Sequence, residues 1–250
     1  MINKTIVGAM LVSQNAELLD ISIPNMLKWC DWCLILMDNE SDEVRKKVYE
    51  YAQSNYDKIW IRRSSVPNDI MTRNGSVLDY HSRWKAVKGI VRNDVFLNLK
   101  SILALGQKGF DKIDILLWPD SDVIFTDHLP QLLKEFIDSD KRAITMKHID
   151  VINDLRHIQS GNIGHHVHIM KYSPELAGLP RRFFALYHPL SASDLMHTKY
   201  YSVHLAYLTE GVRDWRNNNW KTNEIDSGKS CELPIDVTEL SPEEINNIIK

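Results

Sequence analysis

No apolar run in this 250-residue chain reaches the ~20 residues that a membrane-spanning helix needs. Charge of one sign is equally scarce. Against 33 Asp and Glu stand 30 Lys and Arg, a formal net charge of −3, which supplies no long-range field for nucleic acid or an anionic membrane. There are only three cysteines. An odd, small number gives no disulfide framework and points to a reducing, cytoplasmic setting. The opening Met1 to Asn15 has one Lys and a short apolar stretch, but Gln14, Asn15 and Glu17 stand where a leader's small-residue cleavage site would fall. It is therefore expected to be a first strand and not a signal peptide. No internal repeat, low-complexity tract or linker divides the chain.

What is present suits one large α/β domain with a sizeable core, since 44% of the residues are hydrophobic. Thr5 to Ser13 and Cys33 to Met37 are almost wholly apolar, as strands covered on both faces are. Ile23 to Trp29 is predicted helical, with Pro24 in its first turn. Val44, Val48 and Tyr51 recur at helical spacing and predict a helix over 43–54. A strand at 59–63 is followed by an irregular stretch, 64–91, with Pro67 and Asn74-Gly75, expected to be a mobile surface excursion. Helix 94–105, strands 113–118 and 123–125, helix 129–138 and strand 142–146 continue the alternation. A helical stretch is expected at 203–217, and Ser241-Pro242-Glu243-Glu244 is a capping box opening a last helix. The order βαβαβ…αβαβ predicts a mostly parallel sheet flanked by helices, with an irregular C-terminal third.

Chemistry-bearing residues gather at two strand ends. Asp38-Asn39-Glu40-Ser41-Asp42 follows one apolar strand and Asp120-Ser121-Asp122 another. Open α/β sheets bind ligands at the carboxyl ends of their strands. Carboxylates one residue apart there reach one hard cation, which bridges the phosphates of a nucleotide diphosphate. The pair Cys30 and Cys33 has C-x-x-C spacing but no second ligand pair, and is expected to pack as small hydrophobes. In His165-His166-Val167-His168, His166 and His168 share a face of an extended chain. A mixed-face strand is expected there rather than a zinc site.

The stretch from Ile23 through Asp31, the strand Leu34 to Met37 with Asp38-Asn39-Glu40-Ser41-Asp42, and Leu116-Leu117-Trp118-Pro119-Asp120-Ser121-Asp122 resemble the GT-A glycosyltransferases of the family-two type. The resemblance covers residues 5 to about 146, and departs where Glu40 replaces a frequent glycine. It implies a GT-A-like single domain in which 1–146 binds a nucleotide-sugar and 147–250 forms the acceptor-binding and C-terminal part. Ser13, Asn15, Asp38, Ser41 and Asp42 would then serve the donor, with Asp120 and Asp122 holding Mn2+ or Mg2+. Leu195 to Ser202 looks like the segment that lends such enzymes an imidazole, which nominates His197 as third ligand, with His188 and His204 next. Arg92, ahead of the helix leading to the second acidic strand, is a candidate diphosphate partner. Asp150, Asp154 and Asp194 are candidate bases. The implied activity is transfer of a hexosyl or pentosyl group to a hydroxyl of a saccharide, glycolipid, protein or modified DNA base. Two rivals are a sugar-nucleotide-forming nucleotidyltransferase and a non-catalytic binding module. The first calls for a Gly-rich basic loop after the first strand, where this chain has Ser13-Gln14-Asn15-Ala16. The second calls for a degenerate metal site, whereas both aspartates are present.

Overall fold

The computed structural model describes residues 3–13, 15–38, 40–65, 72–73, 76–77, 80–152, 157–160, 165–176, 190–208 and 236–239. At 72–73, 76–77, 80–90, 92, 150–152, 157–160, 165, 176, 206–207 and 236–239 it describes the backbone alone. Along the chain run β1 (Ile6–Val12), α1 (Ala16–Trp29), β2 (Trp32–Met37), α2 (Asp42–Ser54), β3 (Ile59–Arg63), β4 (Thr72–Arg73), β5 (Ser76–Val77) and α3 (Tyr80–Ala104). Then come β6 (Ile115–Leu117), β7 (Val123–Phe125), α4 (Leu129–Ile137), β8 (Ala143–Ile152), β9 (His157–Ser160), β10 (His165–Lys171), β11 (Leu195–Tyr207) and β12 (Asp236–Glu239).

The predicted α/β architecture is present. The main sheet runs β12-β9-β8-β10-β6-β1-β2-β3, with β11 joined to both β8 and β7. Its parallel part is β6-β1-β2-β3. Antiparallel pairing enters through β10, which lies between β6 and β8. The apolar runs follow from burial on both faces. Ile6, Met10 and Val12 of β1 face α1, α2 and α4, through residues such as Leu19, Ile23, Val48 and Phe136. Val7, Ala9 and Leu11 face α3, through Val91, Val95, Phe96, Leu99 and Ile102. The amino end of β1 is fastened by two carboxylates: Asp114 accepts from the Thr5 N–H and Asp31 from the Ile6 N–H, each at 2.8 Å. Its carboxyl end is left for other uses.

Several expectations need adjustment. Helix α1 starts at Ala16, seven residues before the predicted start, and Pro24 lies inside it. Burial of Ala16, Leu18, Leu19 and Ser22 extends the helix, outweighing the hydrogen bond that an interior proline removes. Helix α3 begins at Tyr80, so the second half of the expected excursion is helical; Pro67, Asn74 and Gly75 lie outside the described residues. Val203 to Tyr207 belong to a strand and not a helix, because β11 pairs with β8 on one side and β7 on the other. The expected helix after Ser241 lies outside the described residues. Cys30 and Cys33 are buried, consistent with packing; burial and the adjacent Cys33 thiol push the Cys30 thiol well up. Among the described residues no helix is long and apolar enough to cross a membrane.

At Gly8, mid-β1, α1 packs close over the strand. A Cβ there would meet Met26 Cγ at 2.6 Å and Cys30 Sγ at 3.0 Å. Gly8→Ala is expected to destabilise the protein by about 1–3 kcal/mol through overpacking, read as a lower urea midpoint at unchanged slope. An unchanged midpoint would mean that α1 does not rest on this strand.

Candidate functional site

The sheet reverses its direction of growth at β1. From β1 the chain winds outward to β2 and β3, then returns to lay β6 on the other side of β1. Such a switch point opens a crevice at the carboxyl ends of the two strands that flank it. Both acidic segments lie there. Asp120 forms a parallel bridge with Leu11 of β1, and the Asp38 N–H donates to the Val12 carbonyl at 2.9 Å. Asp38 and Asp120 therefore straddle the end of β1, roughly two strand widths or 10 Å apart. The Ser41 N–H donates to the Ser13 carbonyl at 3.2 Å, closing the first acidic loop over the turn after β1. Asn15 takes a left-handed conformation, φ 62°, at the start of α1, which asparagine tolerates better than most residues.

Several residues in and around the first acidic segment have a definable local role. Asp38 is 2% exposed. The Ser41 hydroxyl caps α2 by accepting from the Val44 N–H at 3.2 Å, and Asp42, in the first turn, pairs with Arg45 at 2.8 Å. Glu40 receives Arg45 at 3.0 Å and Arg63 at 2.9 Å. Asp94, 5% exposed, accepts the Ser65 N–H at 2.6 Å and the hydroxyls of Ser64 and Ser65, which holds the end of β3. Arg92 lies on α3, two residues before Asp94, and its side chain is outside the description.

Asp122 opens β7. The Leu205 N–H donates to its carbonyl at 2.7 Å, and His204 Nε2 stands 3.2 Å from Asp122 Oδ2. On its other side β7 is held by Asn25 of α1, whose amide donates to the Phe125 carbonyl at 2.9 Å and accepts the Phe125 N–H at 2.8 Å. A spacing near 3 Å serves a hydrogen bond, and equally two ligands at roughly 2.1 Å from one cation. His197, the expected third ligand, is not brought to the aspartates. It is exposed, opposite Thr145 of β8, seven residues or roughly 23 Å along β11 from His204. His188 and Asp154 lie outside the described residues. Asp150 is the register partner of His204 on β8. Asp194 belongs instead to a capping box, accepting the Ser191 N–H at 2.7 Å and its hydroxyl at 2.8 Å. Those bonds hold its carboxyl below the usual range.

Three further imidazoles crowd the same region. His148 Nε2 and His168 Nε2 are within hydrogen-bonding contact. The His148 ring centroid is 4.2 Å from that of His166, 4.5 Å from His168 and 5.7 Å from His204. Burial, followed by the neighbouring His168, His166 and His204, pushes the His148 imidazole far below its ordinary range, with Asp120 opposing. Sequence pattern exposed only the i, i+2 half of this group, His166 and His168.

No protein-family profile matches the chain and no curated protein matches it in sequence. Its fold is similar to several solved structures. TarS 1-349 of S. aureus is 14% identical with a TM-score of 0.46, covering 81% of this chain and 60% of that one. A putative glucose-1-phosphate thymidylyltransferase from Bacillus anthracis is 10% identical with a TM-score of 0.42, over 86% and 94% of the two chains. Glucosyl-3-phosphoglycerate synthase from Mycobacterium tuberculosis, in complex with Mn2+, UDP and phosphoglyceric acid, is 11% identical with a TM-score of 0.37. It is matched over 58% of this chain, which spans 44% of the synthase. At these scores the likenesses carry nothing about reaction or substrate, which must come from the side chains.

Glu40 yields a pH prediction. Burial pushes its carboxyl up, but a backbone hydrogen bond at Glu40, Arg45 and Arg63 outweigh this and hold it below the usual range. A depressed folded value stabilises above the unfolded value of about 4.3 and is lost as pH falls through the folded one. The stability gap between wild type and Glu40→Gln should be constant near neutrality and shrink below about pH 4. A gap that widens on acidification would refute the ion-pair account.

Proposed function

We propose that the chain is a divalent-metal-dependent glycosyltransferase that moves a hexosyl or pentosyl group from a nucleotide-sugar to an acceptor hydroxyl. The observation that carries this reading is the pair of acidic strand ends straddling β1 at the switch point, with Asp122 already beside an imidazole. Two carboxylates and one neutral nitrogen fit Mn2+ or Mg2+, and the nitrogen favours Mn2+ over Ca2+. Asp120, Asp122 and His204 would hold the cation. When bound, it neutralises the charge building on the departing nucleoside diphosphate.

The remaining work falls to the chain. The turn at Ser13 and Asn15, with buried Asp38, offers polar groups to a base and ribose, while Ser41 and Asp42 keep that loop folded against α2. Arg92, placed on α3 ahead of Asp94, is assigned to the diphosphate. Residues 1–146 would carry donor binding and 147–250 the acceptor side. An inverting reaction needs a carboxylate in reach of the acceptor hydroxyl; Asp150 is favoured because β11 registers it with His204, and Asp154 stays a candidate. The capping bonds of Asp194 argue against it. Saccharide, glycolipid, protein and hydroxylated DNA base remain the acceptor classes. The nucleotidyltransferase reading is disfavoured by the turn Ser13-Gln14-Asn15, which lacks glycine and a base.

A nucleoside diphosphate with Mn2+ should raise the melting temperature, by the equivalent of about 2.7 kcal/mol at a hundredfold excess over Kd. Equal stabilisation in excess chelator would sink the metal-bridged reading. Asp122→Ala should remove both this shift and sugar transfer. His204→Ala should be milder, weakening Mn2+ roughly 10- to 100-fold, since water can fill the vacated position. His197→Ala should leave Mn2+ affinity at the wild-type value; a loss there would restore His197 as ligand.

A further inference from the structure

Nothing in the reading above uses His148, His166 or His168, yet the chain goes to some length to bring them together. One ligand-capable nitrogen from each lies within 4.8 Å of the other two. His148 is 7% exposed and His168 1%, while His166 reaches the surface. His148 comes from β8 and the other two from β10. Between Val167 and Ile169 the register of β10 against β8 slips by one residue, making His168 the inserted residue of a bulge. Consequently Val167 and Ile169, which would share a face in a regular strand, pack into cores on opposite sides of the sheet. Bulges of this kind re-aim a side chain beside a functional site.

The tautomer of His168 is fixed by its partner. His168 Nδ1 lies 2.8 Å from the Trp118 carbonyl, an oxygen that can only accept, so Nδ1 carries the proton and Nε2 presents a lone pair. That lone pair points at His148 Nε2. A histidine that donates one ring N–H to a backbone carbonyl, with the other nitrogen turned into a cluster of imidazoles, is the usual arrangement of an oriented metal ligand. The His166 and His168 rings are parallel within 6°, with centroids 5.8 Å apart.

We propose that His148, His166 and His168 bind a divalent cation of the zinc class, at a second site beside the carboxylate site of Asp120, Asp122 and His204. Three neutral nitrogens suit Zn2+, Co2+, Ni2+ or Cu2+, and leave Mg2+ and Mn2+ to the carboxylates. Three protein ligands also leave a fourth position for water or substrate, as in catalytic zinc sites. His166 supplies the entry path from solvent. The proposal stands on this geometry and does not depend on sugar transfer.

Metal-free full-length protein titrated with Co2+ should bind a single high-affinity equivalent, with the visible absorption of tetrahedral Co2+, displaced by Zn2+ and not by Mg2+. His166→Ala, which alters an exposed side chain, should weaken Co2+ binding by more than the roughly 10- to 100-fold typical of losing a supporting group. His166→Cys, compared with a His166→Ala protein that keeps the same Cys30 and Cys33, should add a near-ultraviolet sulfur-to-Co2+ charge-transfer band. Asp122→Ala should retain the Co2+ spectrum while losing Mn2+-dependent diphosphate binding. Wild-type protein without such a spectrum, or His166→Ala indistinguishable from wild type, would overturn the proposal. Loss of the Co2+ spectrum in Asp122→Ala would merge the two sites into one and refute the second cation. Retention of the spectrum in a protein that shows no diphosphate binding would uphold this site and dispose of the transferase reading alone.

Discussion

The reciprocal pair between Trp118 and His168 is the contact on which the site depends. The Trp118 N–H donates to the His168 carbonyl at 2.6 Å, and His168 Nδ1–H returns a bond to the Trp118 carbonyl at 2.8 Å. Trp118 is 1% exposed and packs edge-on against Phe96 of α3, centroids 4.8 Å apart. Trp118 thus anchors the path into Pro119-Asp120 with its indole, and its carbonyl fixes the proton on an imidazole 50 residues further along the chain. Each such bond contributes only about 0.5–1.5 kcal/mol net, but a buried group left unpaired costs about 1–3. Its main effect is on geometry: β6 ends where β10 dictates, and the acidic loop starts from a defined point.

The two kinds of candidate ligand sit in different structural settings for a physical reason. The carboxylates Asp120 and Asp122 stand at strand ends and are partly exposed, where loops leave room for counter-ions and solvent. The imidazoles His148 and His168 stand within strands, almost wholly buried. A neutral ring tolerates that position, whereas an unpaired carboxylate would face a desolvation penalty of several kcal/mol. Parallel strands deliver the charged groups at their carboxyl edge, while the later strands β8, β10 and β11 deliver the nitrogens.

The N-terminal half was legible because its signals are local. The apolar runs of β1 and β2, the helical spacing of Val44 and Val48, and an acidic cluster after each of two strands are all visible within short windows. What escaped depends on pairing between distant segments. The strand at Val203 to Tyr207 exists because β8 and β7 flank it, which no window around those residues contains. The resemblance nominates His197 ahead of His204, and only the register of β11 against β7 shows that it is His204 that stands beside Asp122. The histidine group joins His148 to residues 18 and 20 positions later through a bulge. Alternation alone predicts a regular strand there. The early start of α1 was hidden by Pro24, whose local preference the sheet overrides.

The architecture of β11 also governs how the molecule is acquired. It closes against β7, about 80 residues earlier, and against β8, about 50 residues earlier, while β6 must insert beside β1 across more than 100 residues. Ordering such long intervening segments costs entropy before any contact compensates for it, and folding slows accordingly. His204 cannot meet Asp122, nor His168 meet Trp118, in a nascent chain that has finished only its first half. A ribosome-bound fragment ending before β10 holds both acidic loops and His148, but not His166, His168 or His204. Asp122 would stand there without His204, and His148 without His168, so the proposed cation sites would be complete only once the sheet is.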